Sequence, residues 1–148
     1  MLGRSGALRK GDYGVPVTVE LPKELLELLE RPSICFLATL MPNGSPHLTQ
    51  TWVDTDGTHI LINTVQGHQK ERNIARDPRV AVTVSDREQP RRYFQVRGRV
   101  VDVTTVGAAE HIDKLSMRYT GGPYPWYGGR DQVRVLLTIQ ADRITRNG

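Results

Sequence analysis

The sequence predicts a mainly β fold, an antiparallel barrel with a few peripheral α-helices. Three observations carry that reading. Short apolar or alternating segments are separated by tight turn signals, and a single short helical segment interrupts them in mid-chain. The longest strand also changes the parity of its apolar residues near Gly98, as a sheet does where a bulge lets it curl. The 148 residues leave room for one such domain. It is expected over residues 21–148, behind an N-terminal arm of residues 1–20 that is rich in glycine and lacks periodicity.

The elements follow in order. Leu21–Arg31 has helical spacing: Leu21, Leu25, Leu28 and Leu29 share a face, Pro22 suits the first turn, and Arg31 before Pro32 is pushed out of the helical region. Ser33–Leu40 is a short apolar run, read as a buried strand. Met41–Ser45 is a turn, because Pro42 fixes φ and Asn43-Gly44 accepts positive φ. Pro46–Val53 and Thr58–Thr64 are strands around a turn at Asp54–Gly57, the second of them buried on both sides up to Asn63. Gly67–Arg76 is a short helix stopped by Asp77-Pro78. Arg79–Val84 sets Val80, Val82 and Val84 on one face of a half-buried strand. In Arg92–Val103, Phe94, Val96 and Val100 share one parity and Val101 and Val103 the other. Val106–Tyr119 is helical, with Ala109, Ile112, Leu115 and either Met117 or Tyr119 inward. Gly121–Gly129 holds too much Gly and Pro to be regular; Val133–Ile139 is a final strand, with Ile144 assigned to a further short one.

Composition sets limits. With 38% hydrophobic and 24% charged residues, a packed core is expected and wholesale disorder is not. The best apolar runs, Ile34–Leu40 and Val133–Ile139, fall far short of the ~20 residues that cross a bilayer. The first twenty residues lack the apolar core of a secretory signal, so a cytoplasmic chain with no membrane partner is expected. The lone cysteine, Cys35, excludes an internal disulfide framework and reads as a small core residue. His47, His59, His68 and His111 show no paired-ligand spacing, so no metal is expected. The net charge is +4, and residues 67–99 hold nine Lys/Arg against four acids. Such a bias attracts a phosphorylated cofactor, an acidic substrate or nucleic acid, with a plain solvated face as the alternative. The arginines are not interleaved with aromatics, which speaks against nucleic acid.

Three segments can carry chemistry. In Ile62–Asn73 a buried strand ends at Asn63 and Thr64, and a helix opens with His68 and Lys70 near its first turn. A helix N-terminus is an anion site, and a bound phosphate would explain a lysine where the dipole disfavours one. Lys70 and Asn73, spaced i, i+3, can face one ligand; the alternative is a solvated Lys70 and an Asn73 bonded to its own backbone. In His47–Trp52, alternation sets His47, Thr49 and Thr51 on one side and Leu48, Gln50 and Trp52 on the other, either a polar row for the edge of a heterocycle or a wet outer face. Gln95, among apolar neighbours, is a ligand donor or a solvent-facing residue. Tyr119–Tyr127 gathers Tyr119, Tyr124, Trp126 and Tyr127 on a Pro-stiffened loop, either a lid over a flat ligand or a subunit contact. No GxGxxG, Walker A, HExxH or GxSxG motif and no catalytic dyad is present, so an organic cofactor is expected to supply any chemistry.

The residues Ala38-Thr-Leu40, Pro42-Asn-Gly-Ser-Pro-His47, Ile62-Asn-Thr64, Lys70-Glu-Arg-Asn-Ile74, Arg76-Asp-Pro-Arg-Val80 and Val96-Arg-Gly-Arg-Val100 resemble the split β-barrel superfamily of flavin and deazaflavin oxidoreductases. That superfamily includes pyridoxamine 5′-phosphate oxidase and the actinobacterial reductases that use coenzyme F-420. Lys70–Ile74, His111-Ile-Asp-Lys-Leu115, Arg118-Tyr-Thr-Gly121 and Tyr124-Pro-Trp126 look closest to the F-420 branch, and the similarity spans about residues 21–147. The resemblance implies a split antiparallel β-barrel (the FMN-binding split barrel) and a homodimer with two cofactor sites at the subunit interface. It places Lys70 on the cofactor phosphate, and His68 where many relatives carry an arginine, a weaker and pH-dependent contact. It sets Asn63, Thr64, His47, Thr49 and Gln50 along the ring and ribityl chain, and Gln95 on the phosphate side of FMN-using relatives. The implied activity is hydride transfer between reduced F-420 and a small planar unsaturated acceptor, with no catalytic side chain. The alternatives are an FMN-binding reductase or oxidase of the same fold, or a non-catalytic cofactor-binding protein. Thr145–Gly148 lacks the Arg-x-His ending of the pyridoxamine oxidases, so that oxidation is disfavoured.

Overall fold

The computed structural model describes residues 18–147, and the arm expected at residues 1–20 falls almost wholly outside them. Within the described residues the order is α1 (Lys23–Leu29), β1 (Ile34–Leu40), β2 (Pro46–Thr51), β3 (Asp54–Thr55), β4 (Ile60–Val65), α2 (Gln69–Arg76), β5 (Arg79–Ser85), β6 (Tyr93–Thr104), α3 (Ala108–Thr120) and β7 (Arg134–Asn147). All strand pairings are antiparallel, in one sheet of order β2-β1-β5-β6-β7-β4-β3. The sheet curls into a half-barrel with three helices about it, the mainly β split-barrel class that the sequence implies.

The curl has a local cause. β6 and β7 pair from Tyr93↔Asn147 to Thr104↔Leu136, with register shifts between Arg97/Gly98 and between Val100/Asp102. The parity change near Gly98 is therefore two bulges, and each adds twist. Gly98 sits where β7 presses closest: a Cβ there would lie 2.1 Å from the Gln140 carbonyl oxygen, so no side chain fits. Leu37, Ile62, Val82, Val96, Leu137 and Ile139 fill the concave side, and Leu25, Leu28 and Leu29 of α1 pack into the same core.

Several boundaries differ from the sequence reading, each for a physical reason. Pro22 is the N-cap of α1, not a residue of its first turn. β1 alternates, with Cys35, Leu37 and Thr39 inward and Phe36 36% exposed, so it is half-buried rather than buried. Asp54 and Thr55 form a strand of their own, and Asp54 is buried, not a turn residue. β7 runs unbroken to Asn147, taking in Ile144, because β6 offers a ladder along its whole length and the bulge absorbs Asp142. On α3 the inner residues are Ala108, Ile112, Leu115 and Ser116; Ala109 faces out, Met117 is exposed and Tyr119 is half-buried. No described helix is long and apolar enough to cross a membrane.

Candidate functional site

The site begins where β4 hands over to α2. Gly67 takes φ +89°, a left-handed conformation that lets the chain turn sharply into the helix, and His68 is the N-cap. The His68 side chain makes no capping bond to the helix. The back of α2 is bolted to the sheet by Asn73, which is fully buried. Its amide donates to Thr39 Oγ1 at 2.9 Å, and its oxygen accepts from Gln69 at 2.8 Å and from Arg76 at 3.2 Å. Asn73 thus points inward while Lys70 lines a cleft, and the expected i, i+3 pair does not face one ligand.

That cleft has a volume of about 520 Å³ and lies between the ends of β2 and β4, α2, α3 and the 124–134 loop. Two cations define its polar end. Arg134, only 9% exposed, donates from Nε to Asn63 Oδ1 at 2.8 Å and from Nη1 to the Tyr124 hydroxyl at 3.2 Å, with its guanidinium 5.1 Å over the Tyr124 ring. Lys70 is half-buried beside it. Burial, and then the Arg134 charge, push the Lys70 ammonium below the ordinary lysine value, and burial likewise lowers Arg134. Among the described residues neither cation forms an ion pair with a carboxylate. Burying charge without a counter-charge is costly, and an anion in the cleft would offset that cost. Cys35 lies close by, but burial pushes its thiol up to about 12 and leaves it inert.

The other side is aromatic. Trp52 stacks on Tyr119 with ring centroids 5.2 Å apart and planes at 19°. Tyr124 meets Trp52 edge-on at 6.5 Å and Tyr127 at 5.6 Å. Arg87 lies 5.8 Å over the Tyr119 ring. The wall is anchored from behind: the Tyr119 hydroxyl accepts from the Ser33 and Val53 N–H groups and donates to the Ser33 carbonyl, each at 3.3 Å. The Asp113 carboxylate accepts the Tyr124 N–H at 2.8 Å and ties the loop to α3.

A second polar cluster lies behind the cleft. The Asp54 carboxylate is 2% exposed and receives His111 Nε2 at 3.0 Å, Arg118 Nη1 at 2.9 Å and Lys114 Nζ at 3.7 Å. Burial alone would raise its pKa, but hydrogen bonds from His111, the Thr55 amide and Arg118 outweigh that and hold the carboxyl well below the usual range. His111 joins this cluster to Asn63, whose Nδ2 lies 3.1 Å from His111 Nδ1 and donates to the Ala108 carbonyl at 2.8 Å.

Of the residues expected to hold a cofactor, Lys70, His68, Asn63, Thr64 and Gln50 line the cleft, as do Tyr124 and Tyr127 of the expected lid. Trp126 stands behind Tyr124 at 5.5 Å, under Arg130 at 5.4 Å. His47 and Thr49 pair in register with Thr39 and Leu37 on the edge strand β2, away from the cleft lining. Their Nδ1 and Oγ1 atoms are buried with no hydrogen-bond partner among the described residues. Gln95 is exposed on β6 and donates to Thr145 at 3.5 Å. The basic stretch 67–99 is largely consumed by structure: Arg76 bonds the Leu40 carbonyl, Arg79 pairs with Asp77, Arg92 with Asp86 and Arg99 with Asp142. Sequence reasoning missed Arg134 and Asp54. The signal for Arg134 was a charged residue at the head of an apolar strand, and such a residue is paired or liganded when buried.

Residues 21–146 match the family model described as pyridoxamine 5′-phosphate oxidase. An FMN-binding protein of Nitratidesulfovibrio vulgaris is 34% identical over 87 residues, which span 53% of this chain and 70% of that protein. Among solved structures, an F-420 reductase superposes with a TM-score of 0.74 at 33% identity, covering 84% of this chain and 98% of its own. A conserved hypothetical protein of Mycobacterium tuberculosis superposes with a TM-score of 0.64 at 27% identity, covering 95% and 89%. A curled antiparallel sheet, a cleft with two cations that have no carboxylate partner among the described residues under an aromatic wall, and a match over nearly the whole described chain lead to one assignment: the chain belongs to the pyridoxamine 5′-phosphate oxidase family, the split-barrel oxidoreductases that bind flavin or deazaflavin cofactors.

Proposed function

We propose that this chain is an F-420-dependent oxidoreductase that passes a hydride between reduced F-420 and a small planar unsaturated acceptor. The observation that carries the reading is the conjunction, in one cleft, of two cations with no carboxylate partner among the described residues and a stacked aromatic wall. The volume lies within the ~300–1,000 Å³ of small-molecule sites. The donor set fits such a cofactor: Lys70 and Arg134 meet its phosphate, Trp52, Tyr119 and Tyr124 flank the flat ring system, and Gln50 and Thr64 bond its polar edge. When bound, the deazaflavin supplies the hydride from its central ring carbon. The chain's own part is to bind the anionic tail, orient the ring and keep water from the acceptor face. The likeness to an F-420 reductase supports this choice. The likeness to an FMN-binding protein favours the second reading, an FMN-dependent reductase or oxidase using the same residues.

The reading includes a homodimer. Phe36 and Leu48, 36% and 65% exposed, share the outer face of β1 and β2 at the sheet's edge, opposite the face on which His47 and Thr49 pair with Thr39 and Leu37. A second copy laid over that outer face covers the apolar groups. Side-by-side fluorescence titration of F-420 and FMN tests the cofactor, followed by stopped-flow oxidation of the reduced form with a panel of quinones and enones. Saturable F-420 binding and turnover are expected. Binding of FMN alone moves the assignment to the second reading, and binding of neither overturns both. Sedimentation is expected to give a dimer; a monomer that still binds cofactor removes the dimeric part.

A further inference from the structure

The hydrogen bonds behind the cleft fix a protonation state. Arg134 Nε can only donate, so its 2.8 Å partner on Asn63 is the amide oxygen, and Asn63 Nδ2 must be the donor group. One of its hydrogens goes to the Ala108 carbonyl and the other faces His111 Nδ1 at 3.1 Å, so Nδ1 is an acceptor and carries no proton. The imidazole proton therefore sits on Nε2 and is given to Asp54 at 3.0 Å. Asp54 already has Arg118 and Lys114 of α3 as counter-charges, and Arg134 adds positive charge beyond Asn63. His111 is not needed as a cation; every group around it is satisfied when it is neutral.

We propose that His111, held as the neutral Nε2–H tautomer between Asp54 and Asn63, is a positioning residue that aims Arg134 at the anion bound in the cleft. A proton added at Nδ1 would set N–H against the Asn63 NH₂ group. The amide would then turn, its oxygen would leave Arg134 Nε, and the guanidinium would lose the bond that fixes its direction. The ligand named in the test rests on the cofactor reading above; the tautomer and its coupling to Arg134 do not.

Two variants separate the ring's two edges. Asparagine reproduces the Nδ1 acceptor, and glutamine reproduces the Nε2 donor. In His111→Asn the ¹⁵N resonance of Arg134 Nε is expected to keep its wild-type position, and in His111→Gln to move. Wild-type His111 is expected to show the Nε2–H pattern in its ¹⁵N spectrum. Affinity for F-420, or for FMN where that binds instead, is expected to fall about tenfold in His111→Gln, the scale of one lost hydrogen bond. It should be retained in His111→Asn. An Nδ1–H tautomer in the wild type, or equal effects of the two variants on Arg134 Nε, overturns the proposal. If wild-type protein binds neither cofactor, the functional reading fails, while the NMR arm, which needs no ligand, decides this proposal alone.

Discussion

Two half-buried clusters of positive charge stand at opposite ends of one chain of hydrogen bonds. Around Asp54, three basic side chains converge on one carboxylate that is almost fully buried. Across Asn63, Lys70 and Arg134 share a cleft with no carboxylate among the described residues. The first cluster is electrostatically complete and does structural work, tying β3 and β4 to α3. The second is incomplete, and its missing charge is the strongest statement the molecule makes about a ligand. Counting basic residues would not separate them; the presence or absence of one internal anion does.

Removing that anion is the largest way to break the contrast. Asp54→Ala leaves the largely buried His111 and Arg118 side chains without the carboxylate they share, while Lys114 already reaches solvent, and breaking a buried pair from one side costs about 3–5 kcal/mol. Chemical denaturation is expected to show a loss of that order. A change within about 1 kcal/mol, the ordinary effect of a single substitution, would mean the cluster is not structural. Acid does the same more gently. The Asp54 carboxyl titrates lower in the folded chain than in the unfolded one, where it lies near ~3.9. Its contribution is therefore complete above the unfolded value and is lost as pH falls toward the folded one. Wild-type stability should drop below about pH 4 by more than that of Asp54→Asn, and parallel acid curves would contradict the assignment.

On the other side of the contrast, Lys70→Ala should leave folding intact and weaken cofactor affinity by about 1–3 kcal/mol, the scale of one charge-assisted hydrogen bond. Fluorescence titration reads it directly, and unchanged affinity would remove Lys70 from the site. Wild-type affinity should also decline on the alkaline side earlier than an ordinary lysine would allow, because burial and Arg134 weaken the ammonium's hold on its proton.

Most of the frame was legible because it rests on local rules: the Asn43-Gly44 turn, the alternation of Val80, Val82 and Val84, and the parity change near Gly98 each leave a mark within a few residues. Half of the cleft was legible for the same reason, since Gly67, His68 and Lys70 announce a strand-to-helix corner. What was lost depends on distant pairing. Arg134 meets Asn63 only because β7 pairs with β4, setting Val65 opposite Arg134. Asp54 looked like a turn residue because Asp-x-Asp-Gly is turn chemistry; its burial comes from His111 and Arg118, which lie 57 and 64 positions away. The strand from Arg134 to Asn147 looked shorter because Asp142 interrupts its apolar pattern, and only a bulge against β6 accommodates it.

The finest test sets the two regions against each other through stability alone. Asp54 stabilises the empty protein, whereas Lys70 should destabilise it, for its charge is held where burial and Arg134 oppose it. A lysine that binds its proton less well when folded costs stability below its folded pKa. That cost fades as pH rises toward the unfolded value of ~10.4. Lys70→Met, which keeps the side chain's bulk and removes its charge, is therefore expected to raise the Tm of the cofactor-free protein at neutral pH. The gain should shrink as pH approaches 10 and reverse once saturating cofactor is added, since the ligand then stabilises the wild type more. A Tm lowered by Lys70→Met in the absence of ligand would show that Lys70 has an internal partner after all, and the distinction between a complete and an incomplete charge cluster would fail at its second term.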